Sequence, residues 1–273
     1  MIDPAIETLE IDLLQKAIAD RYGYDFSNYS PASFKRRVVA YVKKSGHTRI
    51  SDLIPPLLHD RNLFRSFLYA VSVTVTEMFR DPQVYKILRE KVIPVLKTYP
   101  SIKVWHAGCA TGEEAYSSAI LFAEEGLADR VQIYATDINE ESLHIASEGI
   151  YPIEKIKEYT QNYQQSGGRG SFSDYYHARY EAVIMNQDLR KRLTFSSHNL
   201  VSDGSFGAMH LIFCRNVLIY FDETLQNRAL NLFSQSLVPK GFLCLGTKES
   251  LLFSTVKDRF RIIAEREKCF QLK

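Results

Sequence analysis

The spacing of apolar residues divides the chain into a helical part followed by a part in which strands and helices alternate. From Pro4 to Tyr22 the apolar residues recur on one helical face, and Gly23 follows where this helix should end. A second helix should begin after Ser30, its expected cap, with Pro31 in the first turn. We therefore predict a helical domain with a linker over residues 1–95 and a second domain over 96–273.

The second domain begins with a pattern typical of an α/β sheet. A short apolar strand near Val104 is followed by a turn with two glycines and then by a helix from Glu113 onward. A second strand runs from Val131 to Asp137. This order predicts a Rossmann-like parallel sheet, which binds its ligands at the carboxyl ends of the strands.

The alternation of strands and helices stops between about residues 151 and 193. This stretch is polar and rich in tyrosine, and its Gly167-Gly-Arg-Gly170 sequence is a turn signal. An insertion of this length is too long and too irregular for a plain crossover, so we predict a small subdomain.

Overall composition excludes several classes of protein. A hydrophobic fraction of 45% and a net charge of +2 are those of an ordinary globular protein with a real core. No apolar run has the length of a membrane helix, and the N-terminal residues lack the features of a signal peptide. The four cysteines form no C-x-x-C pair, so we expect a reduced cytoplasmic protein without a bound metal.

The turn after the first strand favours a cationic ligand. In Ala107-Gly-Cys-Ala-Thr-Gly112 the glycines permit close approach of a ligand, and Glu113 and Glu114 follow directly. Glu114 would repel a pyrophosphate but attract a sulfonium group that carries an amine, which favours S-adenosylmethionine over NAD. Asp137 ends the next strand, where a carboxylate can accept hydrogen bonds from both ribose hydroxyls. The alternative is an ordinary turn whose glutamates complement the helix dipole.

Four stretches of the chain resemble the CheR family of chemotaxis receptor methyltransferases. They occur in the family's order and span most of the chain: Thr74–Pro82, Trp105–Ser117, Ala135–Asn139 and Ile212–Asp222. The resemblance implies a class I S-adenosylmethionine-dependent methyltransferase sheet, an N-terminal helical domain and a small antiparallel β-subdomain at residues 151–193.

The same resemblance assigns roles to individual residues. It implies that Arg80, Arg215 and Tyr220 take part in catalysis by holding the accepting carboxylate. The residues expected to contact the cofactor are Thr74, Thr76, Arg80, Ala107, Gly108, Glu114, Asp137, Asn199, Leu200, Arg215 and Asn216. At the position of Thr74 the family often has Asn, which offers more hydrogen bonds.

The implied reaction transfers a methyl group from S-adenosylmethionine to glutamate carboxylates of chemoreceptors. A glutamate is already ionised at neutral pH, so this reaction needs no general base. The chain lacks the Asn-Pro-Pro-Tyr turn by which amino-methylating nucleic-acid enzymes grip an amide, which argues against a DNA adenine methylase. Two alternatives remain, a non-catalytic module that senses S-adenosylmethionine and an RNA methyltransferase that uses the basic helix.

Partner binding is predicted at two places. No acidic residue occurs between Phe26 and Ser51, and the helix within this stretch carries Lys35, Arg36, Arg37, Lys43 and Lys44. It is either a solvated face or a docking surface, for which the resemblance implies the glutamate-rich helices of a chemoreceptor. The β-subdomain binds a receptor's C-terminal pentapeptide in some family members, but this insertion has a glycine-rich turn and an unusual length, so it could equally be neutral toward partners.

Overall fold

The computed structural model describes residues 4–72 and 76–273. It contains two compact units. One comprises the described part of residues 1–73 together with Ile219–Gln226, and the other comprises the described part of residues 74–218 together with Asn227–Lys273. The compact units therefore divide near residue 73, whereas the predicted boundary near residue 95, which counts the linker with the first domain, stays a prediction.

The first unit is helical, as the apolar periodicity predicts. Leu14, Val38 and Phe67 are fully buried in its core. Gly23, with φ of +76°, follows the first helix. Ser30 is the N-cap residue of the second helix, as predicted, although its side chain makes no capping hydrogen bond. Pro31 at the first position has no N–H to cap and a preset φ, which lets the helix begin without the serine hydroxyl. The helices are α1 (Pro4–Tyr22), α2 (Pro31–Lys44), α3 (Ile54–His59) and α4 (Arg61–Val71).

The second unit contains the strands and the remaining helices. Its first helical segment comprises α5 (Pro82–Ile87), a π-helical turn (Leu88–Val92) and α6 (Ile93–Leu96). Then follow β1 (Ile102–Ala107), α7 (Glu113–Glu124), β2 (Val131–Asp137), α8 (Glu140–Glu148), β3 (Ile150–Pro152), α9 (Ile156–Gln165), β4 (Tyr176–Arg179), β5 (Ala182–Met185), α10 (Gln187–Arg190), β6 (Leu193–Ser197), β7 (Met209–Cys214), α11 (Glu223–Ser236), β8 (Leu237–Leu245), β9 (Phe260–Ala264) and β10 (Cys269–Leu272). Helix α11 begins within the segment assigned to the helical unit.

Seven strands form the main sheet in the order β6-β2-β1-β7-β8-β10-β9. All neighbouring pairs are parallel except those of β10, which runs antiparallel to both β8 and β9. From β1 the chain adds β2 and β6 on one side and then returns to place β7 on the other. This reversal makes the carboxyl ends of β1, β2 and β7 the expected ligand-binding edge.

The insertion after α8 forms a separate three-stranded antiparallel sheet in the order β3-β5-β4. The predicted antiparallel subdomain is therefore confirmed. Its glycine-rich turn packs on an aromatic ring, because a Cβ atom at Gly168 would lie 2.3 Å from Cζ of Tyr163. Within the described residues, no helix is both long and apolar enough to cross a membrane.

Candidate functional site

The turn after β1 brings backbone N–H groups and glycines to the binding edge of the sheet. The N–H groups of Gly108 and Cys109 donate to the carbonyl of Thr136 on the neighbouring strand, at 2.8 and 2.9 Å. Gly108 has φ of +78°, and a Cβ atom there would lie 2.5 Å from a methyl group of Val217. Glycine is therefore required both for the backbone conformation and for the close packing of this turn. Ala107 is the buried last residue of β1.

Asp137 lies at the end of β2, as predicted, and faces the same turn. Its carboxylate accepts hydrogen bonds from the N–H of Ala110 at 2.8 Å and the N–H of Asn139 at 2.9 Å. Burial raises the pKa of this carboxyl, and the backbone donors act in the opposite direction. Each carboxylate oxygen can accept a further hydrogen bond, so the side chain can also accept from the two hydroxyls of a ribose.

Glu114, in the first turn of α7, connects β1 to the end of β7. One of its oxygens lies 3.2 Å from Nδ1 of His106, and the other accepts from Nη1 of Arg215 at 2.6 Å. Nη2 of Arg215 donates to Asp81 at 2.7 Å and to the carbonyl of Arg80 at 3.1 Å. The guanidinium is 1% exposed, so these contacts replace its hydration.

The charge of this cluster favours a cation. Two carboxylates, Glu114 and Asp81, surround the single guanidinium of Arg215. Burial raises the pKa of Glu114, but Arg215 and His106 outweigh burial and the net pKa is lowered. The cluster thus holds two carboxylates for one guanidinium beside the glycine turn. That excess matches the positively charged sulfonium and amine of S-adenosylmethionine better than a pyrophosphate.

The remaining residues predicted at the cofactor are spread over other loops. Asn199 follows β6, which ends at Ser197. The Asn199 side chain accepts from the N–H of Val201 at 2.9 Å, and its own N–H donates to Asp203 at 2.8 Å. These bonds fold the segment into a tight turn and stop the strand. The next residue, Leu200, is buried.

Three further positions complete the predicted set. The N–H of Asn216 donates to the Glu249 carboxylate at 3.1 Å. Thr76 is half-buried, and Thr74 lies outside the described residues. Tyr220 belongs to the helical unit, where the guanidinium of Arg37 lies over its ring at 5.2 Å. The structure thus brings Glu114, Asp137 and Arg215 to one edge of the sheet, whereas the role of Tyr220 stays a prediction.

Sequence reasoning assigned no role to three residues that contact this site. His106 holds one oxygen of Glu114 and stacks on Phe213 at a ring distance of 4.4 Å. Asp81 pairs with Arg215, and Glu249 binds the loop after β7. A histidine that directly follows two apolar residues of the strand, Val104 and Trp105, was the available signal for the first of these. The other two interactions join residues far apart in the chain, for which a single sequence carries no signal.

The residues at this edge fit S-adenosylmethionine. Glu114 suits the amine, Asp137 suits the ribose, and the glycine turn permits close approach between them. In the described ranges no group of three or more histidine, cysteine, aspartate or glutamate residues is placed to hold a metal ion. Sheet order and site are those expected of an S-adenosylmethionine-dependent methyltransferase.

Comparison with known proteins identifies the family. Residues 9–72 match the family model described as "CheR methyltransferase, all-alpha domain", and residues 74–269 match "CheR methyltransferase, SAM binding domain". The chain is 48% identical over 263 residues to a Pseudomonas putida methyltransferase named Cher3, and the match covers 96% of each chain. It is 31% identical to chemotaxis protein methyltransferase 1 of Vibrio cholerae, with 84% of each chain covered. The Listeria innocua chemotaxis protein methyltransferase is 28% identical, with 90% of this chain and 93% of the relative covered. The chain belongs to the CheR methyltransferase family.

Proposed function

We propose that this protein transfers the methyl group of S-adenosylmethionine to glutamate side chains of chemoreceptors, in chemotaxis adaptation. The products are γ-glutamyl methyl esters and S-adenosylhomocysteine. The observation that carries the proposal is the cluster of Glu114, Arg215 and Asp81 beside Asp137, which combines a site for the cofactor with a buried cation able to attract a carboxylate. Relatives named chemotaxis protein methyltransferases support a methyl transfer in chemotaxis.

The reaction is a direct displacement at the methyl carbon. The glutamate carboxylate is ionised at neutral pH, and one of its oxygens forms the new O–CH₃ bond as the S–CH₃ bond breaks. The electron pair of the broken bond goes to sulfur, so the opposite charges of carboxylate and sulfonium cancel. No proton moves, and the protein contributes alignment, which is worth roughly 7–11 kcal/mol in well-oriented systems.

Arg215 and Arg80 are proposed to place the accepting carboxylate. Asp81 is the more exposed partner of Arg215, with 36% of its side chain accessible. A substrate carboxylate can take the place of Asp81 on the guanidinium, because the exchange preserves charge and hydrogen bonding. Arg80 lies next to Asp81 in the chain, and its carbonyl already binds Arg215. Tyr220 is proposed to donate a hydrogen bond to the same carboxylate.

The acceptor is tested with membranes that contain chemoreceptors from the same organism. The protein is incubated with methyl-labelled S-adenosylmethionine, and the washed membranes are treated with mild base. Label released as methanol is expected, because carboxyl methyl esters hydrolyse in base. Cofactor binding without transfer to any receptor would favour the sensing module, and label in RNA would favour an RNA methyltransferase.

Helix α2 is proposed as the docking surface for the acidic receptor helices. Two of the five basic side chains of this helix make contacts within the helical unit. Lys35 pairs with Glu7 at 2.6 Å, and Arg37 donates to the carbonyl of Val71 at 3.1 Å. The basic side chains that are exposed are those of Arg36, Lys43 and Lys44. These three are therefore the residues that we expect to meet a partner.

Charge reversal tests the docking role. Lys43→Glu should raise the KM for receptor several-fold and leave the affinity for S-adenosylhomocysteine unchanged, because rim charges act on association. Lys16→Glu is the matched control, since Lys16 is 75% exposed on α1 of the same unit. Equal effects of the two substitutions would mean that net charge, not the α2 surface, governs binding.

The edge strand β4 is proposed as a second contact, for the receptor's C-terminal peptide. In the three-stranded sheet β4 pairs only with β5, and Tyr180 at its end is 89% exposed. An exposed edge can add an extended peptide as a further strand. Removing the receptor's last five residues should then raise KM, whereas an unchanged KM would make the insertion neutral toward this partner.

A further inference from the structure

Glu249 forms an unusual contact with the loop that follows β7. It lies after β8, is 5% exposed, and directs both carboxylate oxygens at backbone N–H groups. One oxygen accepts from Val217 at 2.9 Å and Leu218 at 2.8 Å. The other accepts from Asn216 at 3.1 Å and Gly246 at 2.5 Å. We refer to these four hydrogen bonds as the Glu249 clamp.

The backbone of the loop explains why an anion is needed. Asn216 has φ of +60°, which turns the consecutive N–H groups of residues 216–218 toward one point. Such a concave arrangement of N–H groups binds anions. The clamp fills it with a side chain of the protein itself, so these donors are satisfied and the turn keeps one shape.

The clamped loop contacts the cofactor turn and extends from Arg215. Arg215 immediately precedes it and binds Glu114 at 2.6 Å. Val217 packs directly on Gly108, where its methyl group occupies the space that a Cβ atom would need. A shift of residues 216–218 must therefore move both the Glu114 pair and the wall of the glycine turn.

We infer that Glu249 is a positioning residue that fixes the spacing between the loop after β7 and the S-adenosylmethionine-binding turn. It touches neither the methyl group nor the acceptor. Its effect passes through Val217 to Gly108 and through Arg215 to Glu114. The inference needs only cofactor binding, so it does not depend on which protein is methylated.

Gly246 provides independent support. A Cβ atom there would lie 2.8 Å from the N–H nitrogen of Asn216 and 2.8 Å from a Glu249 oxygen. The donor Asn216 and the acceptor Glu249 thus both contact this glycine and leave no room for a side chain. Gly246→Ala should push the clamp apart although the Glu249 side chain itself is unchanged.

The test compares two isosteric substitutions of buried glutamates. Glu249→Gln places an amide NH₂ against two N–H donors, so it cannot restore the clamp, and we expect the Kd for S-adenosylhomocysteine to rise about tenfold. Glu125→Gln is the matched control, because Glu125 is also buried but pairs with Arg89, Lys97 and Arg169 at the other end of α7. Both variants should lower Tm, but only the first should weaken binding at a temperature where all proteins are folded.

A second pair of variants covers the case in which Glu249→Gln does not fold. Gly246→Ala should weaken binding in the same way, whereas Gly204→Ala should not, since a Cβ atom at Gly204 meets nothing within 4 Å. Calorimetric titration with S-adenosylhomocysteine measures all four variants. Unchanged affinity in Glu249→Gln or in Gly246→Ala, or an equal loss in Glu125→Gln, would overturn the inference.

Discussion

Helix α7 carries a pair of adjacent glutamates at each end, and the two pairs have different surroundings. Glu113 and Glu114 begin the helix at the binding edge of the sheet. Glu124 and Glu125 end it, where the negative end of the helix dipole disfavours carboxylates. The same residue type therefore occurs in one helix in two contexts, and only the contacts reveal which pair serves binding.

The pair at the end of α7 is neutralised by cations. Glu124 and Glu125 both bind Arg89, and Glu125 also binds Lys97 at 3.1 Å and Arg169 at 2.7 Å. Burial raises the pKa values of both glutamates, but these partners together with hydrogen bonds outweigh it and the net pKa is lowered. Because Arg89 follows α5 and Arg169 belongs to the insertion, this network connects the linker, the helix and the subdomain.

The pair at the start of α7 is paired with fewer cations. Glu114 shares Arg215 with Asp81, and the nearest partner of Glu113 is the hydroxyl of Thr111 at 2.7 Å. Burial raises the pKa of Glu113 to about 7. Glu114 and Asp81 share one guanidinium, whereas three cations surround the glutamates at the other end of the helix, and this contrast supports the proposal that Glu114 faces a cationic ligand.

The largest expected effect is on stability at the far end of α7. Glu124→Gln leaves Arg89 with one carboxylate fewer, and it turns the charge-assisted hydrogen bonds from Tyr163 and Tyr175 into neutral ones. We expect the free energy of unfolding to fall by about 3 kcal/mol, as for a broken buried ion pair. Denaturant unfolding measures this loss, and affinity for S-adenosylhomocysteine should stay within about twofold of wild type. A large loss of affinity would mean that the glutamates at the end of α7 also serve binding, which contradicts the account.

The next effect is on cofactor binding at the start of α7. Glu114→Gln removes the charge that faces the amine and leaves Arg215 paired with Asp81 alone. We expect the Kd for S-adenosylmethionine to rise about 100-fold, since loss of one buried charge partner typically costs about 2–5 kcal/mol. Calorimetry at a temperature where the variant is folded separates this effect from its lower stability. Wild-type affinity would contradict the assignment of Glu114.

The third effect is a pH-dependent gain in stability at Glu113. Its folded-state pKa is raised, so wild type loses stability as pH rises from the unfolded-state value, near 4.5, through about 7. Glu113→Gln removes this titration and should be more stable than wild type by about 2–3 kcal/mol at pH 8 but not at pH 4. Thermal unfolding across this range measures the difference. A pH-independent difference would mean that Glu113 is ionised throughout.

Local sequence signals predicted much of the fold. The bounds of α1 and β2 agree with prediction because Gly23 and Asp137 end their elements through backbone conformation or polarity. The insertion was recognisable as a break in the alternation of strands and helices. Helix α11 and strand β9 were not predicted, because their apolar residues pack on a sheet whose order is set by distant pairings.

The site was predictable only in part. Glu114 and Asp137 follow strand ends, so their common location follows from the parallel sheet. The pairing of Arg215 with Asp81 joins residues 134 positions apart, and a surface role for either was equally consistent with the sequence. The clamp by Glu249 depends on a positive φ at Asn216, which is a tertiary feature with no local signature.

The central claim is that S-adenosylmethionine binds at the start of α7 and the end of β2. A crystal structure with S-adenosylhomocysteine tests it directly. The account predicts Asp137 within hydrogen-bonding distance of the ribose hydroxyls and Glu114 beside the amine, with Gly108 against the ligand. A ligand bound elsewhere, or oriented with its amine away from Glu114, would contradict it.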